Sequence, residues 1–297
     1  MAHNSKKILV TGASGLIGRQ VFSQLQQQYS NVIGVDNNSR FDHTPKGNFV
    51  KAELDQYLAS TVNDYDYIYH MAAINGTEHF YKTPSKVLEN NTLCDLNVFN
   101  FAKSNSKTKL IYASTSEVVA GTDVIPTPEE TDVLITDIHN PRWSYRIPKI
   151  LGENFLVNSD INYVIVRFFN VFSEHCGSGH FLRDQINKIR NNVFEIIGPN
   201  ETRSFCYVED AVAALIDVAE KANKDIINIG SQEEITVKDA CDVLAAALGV
   251  SPQWSFLDGL QGSVSRRCPD ISKLKSYSPT FSPMTFEQTI NKIKDKL

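Results

Sequence analysis

The stretch of sequence that decides the fold is ILVTGASGLIG, Ile8–Gly18. Its apolar start, Ile8–Val10, predicts a buried strand, and Gly12, Gly15 and Gly18 follow before a segment with helical spacing. Glycines at such a turn let the backbone approach a pyrophosphate, and the next helix offers N-terminal N–H groups and the positive end of its dipole. Because any tight turn uses glycine for steric reasons, the position between strand and helix is what makes the triplet informative.

Asp36 closes the next apolar run, eighteen residues past Gly18. A carboxylate at this place accepts hydrogen bonds from both hydroxyls of an adenosine ribose and repels a 2′-phosphate, which favours NAD over NADP. Two alternatives stay open: Asp36 is only a turn residue in DNNSR, or the nearby Arg40 accommodates a 2′-phosphate. The predicted dinucleotide contacts in this region are Gly12, Gly15, Leu16, Ile17, Gly18, Asp36 and Asn37.

Apolar runs and helical patterns alternate through the first half of the chain. The predicted strands are Ile8–Val10, Val32–Val35, Tyr67–Met71, Leu110–Ala113 and Tyr163–Phe169, and the predicted helices between them are Leu16–Tyr29, Pro84–Lys103 and Tyr145–Asn158. Near-continuous apolar strands separated by helices indicate an α/β fold with a parallel sheet covered on both faces. After Phe169 the elements become shorter, with further helical patterns at Glu209–Ala222, at Val237–Leu248 and from Thr285.

Composition excludes several classes of protein. With 42% hydrophobic and 21% charged residues, the 297-residue chain can bury a sizeable core, which excludes a disordered protein. The net charge of -5 argues against nucleic acid or an anionic membrane as a partner. No apolar stretch approaches the ~18 residues of a membrane helix, and MAHNSKKILV lacks the apolar region of a signal peptide. Five cysteines without a CxxC pair fit reduced thiols, so we expect a soluble cytoplasmic protein without membrane insertion.

Tyr145 and Lys149 stand four residues apart in SYRIPK, at the start of a helical pattern. That spacing puts both side chains on one helical face. An unperturbed tyrosine has a pKa of about 10, so it acts as a base at neutral pH only where a cation stabilises the phenolate. Lys149 can provide that charge and also bond a nicotinamide ribose. Such a pair alone is typical of an exposed helical face, but after a dinucleotide loop it indicates catalysis.

Polar side chains follow the strand LIYASTSEV. Ser114, Thr115, Ser116 and Glu117 lie just past its predicted carboxyl end, where open α/β sheets bind ligands. A polar exit from a strand, without any chemistry, explains the same residues equally well. The hydroxyl and carboxyl groups therefore become candidates for catalysis only together with the tyrosine–lysine pair.

His175, Cys176 and His180 are close in sequence and could be taken for a metal site. A zinc site needs three or four well-spaced ligands, and the sequence has no second Cys/His pair to complete this one. We therefore expect a loop that faces the substrate and no metal.

Together these motifs resemble the extended short-chain dehydrogenase/reductase family, in its nucleotide-sugar epimerase, dehydratase and decarboxylase branch. The resemblance covers nearly the whole chain. Besides TGASGLIG and YRIPK, it includes HMAA at 70–73, LENNTLCDLNVFNFAK at 88–103, RFFNVF at 167–172, RSFCYVEDA from Arg203, INIGS from Ile227 and RRCPDISK from Arg266. The combination is specific for the family but not for the reaction.

The resemblance implies a Rossmann-type, doubly wound parallel sheet with a smaller C-terminal α+β substrate domain. It implies that residues 1–168 form an NAD-binding domain to which residues of about 207–230 return. Residues 169–206 and 231–297 would then form the nucleotide-sugar-binding domain. It also implies NAD as cofactor, a nucleotide-diphosphate sugar as substrate, and a homodimer built from a helix bundle.

Position by position, the resemblance also implies roles for single residues. Glu53 and Leu54 resemble the pair on the adenine side, Ala72 the residue that passes the cofactor, and Asn91 a structural asparagine grouped with the cofactor site. Thr115 takes the place of the catalytic hydroxyl residue, with Tyr145 as base and Lys149 as its activator, and the last two also contact the cofactor. The substrate-binding residues that it implies are Ser116, Asn170, Arg203 and Arg267. Pro148 departs from the pattern and fits only in or near the first turn of its helix.

The family reaction begins with oxidation of a ring hydroxyl, and the fate of the keto-sugar distinguishes the activities. Dehydratases resemble STDEV where this chain has STSEV, so Ser116 replaces an acid and weakens that alternative. STSEV with a later arginine–proline–aspartate segment is similar to sugar-uronate decarboxylases, in which Arg267 would face the carboxylate and Glu117 would act beside the ring. RRCPD also occurs among epimerases, so epimerase is our first expectation and decarboxylase the alternative, ahead of a 4,6-dehydratase or a 4-dehydrogenase. A dinucleotide-sensing protein without turnover typically lacks the Tyr145–Lys149 pair.

Overall fold

The computed structural model describes residues 4–39, 44–62, 64–135, 137–260 and 262–297. Its strands are β1 (Asn4–Thr11), β2 (Tyr29–Asp36), β3 (Phe49–Lys51), β4 (Tyr67–His70), β5 (Lys109–Thr115), β6 (Asn162–Phe168), β7 (Val171–Phe172), β8 (Glu195–Ile197), β9 (Thr202–Ser204), β10 (Cys206–Tyr207), β11 (Asp225–Ile229), β12 (Glu234–Thr236) and β13 (Ser255–Leu257). Its α-helices are α1 (Leu16–Gln28), α2 (Leu54–Ser60), α3 (Thr77–Lys82), α4 (Pro84–Lys103), α5 (Trp143–Val157), α6 (Phe181–Arg190), α7 (Val208–Lys221), α8 (Val237–Ala247), α9 (Ser272–Tyr277) and α10 (Phe286–Ile293). Short 3₁₀ helices cover Ser116–Val119 and Lys294–Lys296.

Seven strands form one parallel sheet in the order β11-β6-β5-β4-β1-β2-β3. The chain runs outward from β1 to β3, returns to β4 on the other side of β1, and continues through β5 and β6. The direction of winding therefore reverses between β1 and β4, and open sheets bind ligands at the carboxyl ends of strands at such a reversal. This topology confirms the predicted Rossmann-type α/β fold.

The residues of β1 alternate between two apolar cores. Ile8 and Val10 pack in the same core as Phe22 of α1, whereas Leu9 packs in the core that contains Phe99 of α4. Each of these side chains is at most 1% exposed, and burial of a side chain of this kind stabilises a fold by about 1.5–3 kcal/mol. The sheet is thus covered by helices on both faces, as the near-continuous apolar strands predicted.

The chain after Phe169 supplies smaller elements and also returns to the sheet. Three two-stranded pairs lie outside the main sheet, β7 with β10, β9 with β12, and β8 with β13. Helix α8 packs against α6 and α10, and α10 begins with a capping box in which Thr285 and Gln288 bond reciprocally. Strand β11 pairs with β6 in the main sheet, and α7 packs against α1. Within the described ranges, no helix is both long and apolar enough to cross a membrane.

Helix α5 begins two residues before its predicted start, which fixes the place of Pro148 in the helix. The N–H groups of Trp143 and Ser144 already bond to the carbonyls of Asn140 and Pro141, so the first turn forms upstream of Tyr145. Pro148 is then the sixth residue of the helix and lies in its second turn, where it has no N–H for the preceding turn. Pro148 thus lies near the first turn and not in it, and the helix continues through the proline.

Candidate active site

A cleft of about 1070 Å³ opens at the carboxyl edge of the main sheet. Pockets for one ligand usually measure about 300–1000 Å³, so this cleft has room for a dinucleotide and a second ligand. Its lining comes from the turns after β1, β2, β4 and β5, from the loop at Asn170, and from Arg203 of β9 and Arg267. Every residue assigned above to the cofactor, the substrate or catalysis lines it except Asn91 and Lys149.

The turn after β1 has no room for side chains. Gly12 has a φ of +68°, and a Cβ there would lie 2.7 Å from the backbone nitrogen of Ala72. A Cβ on Gly18 would lie 2.0 Å from the carbonyl oxygen of Gly12. Helix α1 starts at Gly15 without a side-chain cap, so its first N–H groups point to the turn uncapped. This bare backbone cradle beside a helix N-terminus fits the pyrophosphate of a dinucleotide.

Asp36 lies at the end of β2 and faces the same cleft. Its carboxylate accepts hydrogen bonds from the backbone N–H of Ser14 at 3.1 Å and of Asn38 at 2.7 Å, which fixes its orientation next to the glycine turn. Asn37 donates to both oxygens of Glu53 at 3.1–3.2 Å, and Glu53 and Leu54, the predicted adenine-side pair, line the cleft beside it. Arg40, the residue that would favour NADP, lies outside the described residues.

Asn91 does not reach the cleft, although the family resemblance groups it with the cofactor site. Its Oδ1 accepts the N–H of Ile74 at 2.7 Å, and its Nδ2 donates to the carbonyl of Ile74 at 2.9 Å. Ile74 lines the cleft and Asn91 is fully buried. Asn91 therefore shapes the wall of the cleft through Ile74 and does not contact its contents.

Tyr145 and Lys149 project from α5 to different depths. Tyr145 lines the cleft and its ring stacks on Phe80 of α3, with 5.1 Å between ring centres. Lys149 is 1% exposed, and its Nζ lies 3.5 Å from the carboxylate oxygens of Asp95. The sequence did not point to Phe80 or Asp95, because both contacts join helices distant along the chain and neither residue was assigned a role of its own.

Thr115 is the last residue of β5 and lies at the floor of the cleft. Its Oγ1 accepts the N–H of Glu117 at 3.2 Å, so its own proton is left for another acceptor. Just before it, Ser114 donates to Glu153 at 2.5 Å, and Glu153 is held by Arg167 at 2.7 and 2.9 Å. This buried ion pair secures the end of β5 against α5.

Glu117 is buried between two arginines in the wall of the cleft. Arg267 donates to Oε1 at 2.9 Å, and Arg142 donates to the same oxygen. Burial raises the pKa of the Glu117 carboxyl, but the charges of Arg267 and Arg142 outweigh it and bring that pKa to about 2. Glu117 is therefore ionised at neutral pH and cannot donate a proton there. Arg142 was not among the site residues predicted from the sequence, although it stands three residues before Tyr145.

Asn170 and Arg203 also line the cleft. Asn170 has a φ of +43° and donates from Nδ2 to the carbonyl of Ser204 at 3.1 Å, which joins its loop to β9. Arg203 donates to Glu201 at 2.5 Å and to Ser263 at 3.0 Å. One carboxylate thus orients this cation, which lies in the cleft wall within reach of an anionic ligand.

The histidine-containing loop is held by contacts within the protein. The Nε2 of His180 lies 3.1 Å from the carbonyl of Val171, and Cys176 accepts the N–H of Ser173 at 3.4 Å. In the part of the chain that the structure describes, no three His, Cys, Asp or Glu side chains are placed to hold a metal ion.

Comparison with known proteins identifies the family. The NAD-dependent epimerase/dehydratase family matches residues 8–230, which include the glycine turn, Tyr145 and Lys149. The chain belongs to this family. Membership in the epimerase/dehydratase family confirms the expected NAD-dependent enzyme and the predicted resemblance to nucleotide-sugar epimerases.

Individual members of the epimerase/dehydratase family match over almost the full chain. A UDP-N-acetyl-alpha-D-glucosaminuronate decarboxylase of Bacillus cytotoxicus is 28% identical, over 95% of each chain. The structure of a UDP-glucose 4-epimerase of Thermotoga maritima with UDP-glucose has a TM-score of 0.86 at 22% identity, over 98% of each chain. A UDP-glucuronic acid 4-epimerase variant of Bacillus cereus, with UDP-4-deoxy-4-fluoro-glucuronic acid and NAD, has a TM-score of 0.83 at 25% identity, over 98% of each chain. These relatives carry out more than one reaction on related substrates.

Proposed function

We propose that the protein is an NAD-dependent epimerase that acts at carbon 4 of a nucleoside-diphosphate sugar. The observation that supports this most directly is the position of Thr115 and Tyr145 on one cleft with the glycine turn, with Lys149 buried one helical turn behind Tyr145. A base, a hydroxyl that can hold an oxygen and a cation are the groups that oxidation of an alcohol requires. The two named 4-epimerases with similar folds support the same reaction.

Each residue has a defined task in this proposal. Tyr145 removes the proton of the sugar hydroxyl, and Lys149 stabilises the phenolate that this requires. Thr115 donates its free proton to the same sugar oxygen and holds the ring in place. NAD, when bound, supplies a hydride acceptor that can return the hydride to the opposite face of the sugar. The stacking of Tyr145 on Phe80 fixes the base in the plane it needs.

The nucleotide half of the substrate would bind in the same cleft. Arg203 supplies a cation for a diphosphate, and the loop of Asn170 supplies polar groups next to it. The named relatives act on or bind UDP sugars, so UDP is the nucleotide we propose first. Ser116 would contact the sugar beside Thr115.

Decarboxylation of a sugar uronate is the second candidate, and the position of Glu117 between Arg142 and Arg267 favours it. Two guanidinium groups and one carboxylate leave an excess of positive charge, which suits a carboxylate on carbon 5. The Nε atoms of Arg142 and Arg267 are buried and have no hydrogen-bond partner within the described ranges. The decarboxylase of Bacillus cytotoxicus supports this alternative. A dehydratase would need a proton donor, which an ionised Glu117 is not.

A panel of nucleotide sugars separates these reactions. The purified protein with NAD is incubated with UDP-glucose, UDP-N-acetylglucosamine, UDP-glucuronate and UDP-N-acetylglucosaminuronate, and the products are analysed by mass and chromatography. A new sugar of unchanged mass supports the epimerase, and loss of carbon dioxide supports the decarboxylase. Tyr145→Phe is the control for turnover at this site. Loss of water, or no conversion of any sugar, contradicts the proposal.

We also propose a homodimer that forms through α4 and α5, which pack side by side. Leu88 of α4 and Leu151 and Val157 of α5 are exposed apolar side chains. Light scattering on the eluted protein tests this: Leu151→Glu should give monomers, whereas Leu257→Glu, at an exposed leucine of β13, should not. A monomeric wild type contradicts the proposal. The cytoplasmic location stays a prediction.

A further inference from the structure

A buried carboxylate on α4, Asp95, has no role in the proposed reaction so far. It is 2% exposed, and side chains from three other elements contact it. The Nε2 of His70, at the end of β4, lies 3.0 Å from Oδ1, and the hydroxyl of Tyr112 of β5 donates to Oδ2 at 2.5 Å. The Nζ of Lys149 of α5 lies 3.5 Å from both oxygens. The side chain is therefore surrounded on all sides by groups that favour its charged form.

Lys149 needs an anion where it lies. Its side chain is 1% exposed, and an unpaired ammonium in a protein interior loses its proton or destabilises the fold by several kcal/mol. Among the described contacts of Nζ, Asp95 is the anion, and the ring of Tyr112 lies 4.4 Å away and adds a cation–π contact. Asp95 is therefore the counter-ion of Lys149 among the described residues.

The carboxylate of Asp95 is itself tied to the glycine turn. Burial lowers the pKa of His70, so its ring is neutral, with the Nε2 proton facing Asp95 and Nδ1 accepting from Thr11 at 2.7 Å. The Oγ1 of Thr11 in turn accepts the N–H of Ala72 at 3.3 Å. This chain of hydrogen bonds anchors Asp95 to the ends of β1 and β4, so it cannot follow Lys149 if the lysine moves.

The same cluster extends to Tyr145. Gly152 lets α5 approach β5, because a Cβ there would lie 2.3 Å from the hydroxyl of Tyr112. Burial raises the pKa of Tyr112, and the negative charges of Asp95, Glu153 and Tyr145 raise it further. Tyr145 stands four residues before Lys149 on α5, so it shares a helical face with the partner of Asp95.

The other titratable groups around Asp95 do not compete with this pairing. Burial, and the charge of Asp95, raise the pKa of Cys94 on the same helix to about 12, so its thiol stays neutral. Glu153 on α5 is neutralised by Arg167 at 2.7 Å. Asp95 and Lys149 are therefore a charged pair of their own in this cluster.

We propose that Asp95 is a positioning residue: its carboxylate is the counter-ion that holds Lys149 in place and, through it, sets the pH range in which Tyr145 acts. This rests on the proposed role of Tyr145 as the base. The negative charge of Asp95 attracts the protons on the two groups that the reaction needs, the charged Lys149 and the ionised Tyr145. Without that charge, the pH range of activity should move as a whole to lower pH.

The first test is the pH profile of kcat/KM for Asp95→Asn, which keeps the shape of the side chain. Both limbs of the profile should move to lower pH by about 1 unit, the usual effect of one nearby charge. Tyr112→Phe is the matched control, because it removes a hydroxyl from the same carboxylate and leaves the charge, so its limbs should stay in place. If kcat/KM falls while both limbs stay at the same pH, Asp95 has a purely structural role and the proposal is overturned.

The second test needs no substrate. The Tm values of the NAD-bound wild type, Asp95→Asn, Lys149→Met and the double variant form a cycle that measures the coupling of the pair. The decrease in Tm of the double variant should be smaller than the sum of the decreases of the two single variants, because the double variant leaves no unpaired charge. Additive losses overturn the proposal. If Asp95→Asn does not fold but the double variant does, the result supports the pairing of Asp95 with Lys149. If Lys149→Met folds but neither Asp95→Asn nor the double variant folds, the result contradicts the pairing. A wild type that converts no sugar defeats the proposed function, and this cycle still decides the role of Asp95.

Discussion

Replacement of Glu117 by glutamine removes the charge that faces Arg142 and Arg267 and keeps the shape of the side chain. The pKa of this carboxyl falls from its ordinary 4.5 to about 2 in the folded protein. That difference of about 2.5 units, at about 1.4 kcal/mol per unit, corresponds to about 3 kcal/mol of stability at neutral pH. Glu117 is only 7% exposed, so water screens its interaction with the two arginines little and the full difference contributes to stability.

The sign of the pH dependence follows from the lowered pKa. The contribution of Glu117 is complete above the pKa of the unfolded chain, near 4.5, and is lost as the pH falls through about 2. Wild type and Glu117→Gln should therefore differ most at neutral pH and converge as the pH decreases through this range.

Urea unfolding at neutral pH and at about pH 3 measures both differences. Glu234→Gln is the matched control, because Glu234 pairs with Arg266, whose side chain is 54% exposed, and such pairs contribute less than about 1 kcal/mol. Equal losses for the two variants at neutral pH, or a Glu117→Gln deficit that does not shrink in acid, would refute the assigned charge state of Glu117.

Three further predictions concern the reaction. Asp36→Ala should reduce the preference for NAD over NADP, because the carboxylate no longer repels the 2′-phosphate. Titration with each cofactor measures this preference. A wild type that binds NADP as well as NAD contradicts the role of Asp36. Tyr145→Phe should abolish turnover without loss of NAD binding or Tm, whereas Lys149→Met should also weaken NAD binding; substantial activity of Tyr145→Phe would reveal another base. In product assays, Glu117→Gln should slow an epimerase by less than about 100-fold. If oxidation of the sugar continues but product formation collapses, Glu117 acts after the first step and the decarboxylase is correct.

The sequence predicted the parts of the molecule that depend on local pattern. Ile8–Gly18 carries strand, turn and helix in one stretch, so the sheet and the glycine cradle could be inferred from residues close together. Helix α4 begins and ends as predicted, because Pro84 suits a first turn and apolar residues recur through Lys103. Short elements such as α3, with six residues, have too few turns to show a period.

Contacts between distant segments were beyond the sequence. Arg142 lies twenty-five residues from Glu117, and no spacing rule relates an arginine before a helix to a carboxylate after a strand. Asp95 and Lys149 are fifty-four residues apart and meet only because α4 and α5 pack together. The start of α5, in contrast, has a local signal that was overlooked: the side chain of Asn140 accepts the N–H of Arg142, and Pro141 follows it, which is typical of a helix start.

The return of β11 to the sheet has a consequence for exchange of parts between related enzymes. A segment that ends at β9 lacks β11 and α7, so the edge of β6 and one face of α1 would lose their covering. The elements that follow Phe169 therefore cannot be transferred as one contiguous cassette; a chimera needs a crossover before α7 and a second one after β11. We expect chimeras with both junctions to accumulate in soluble form and those with a single junction to aggregate through the uncovered strand.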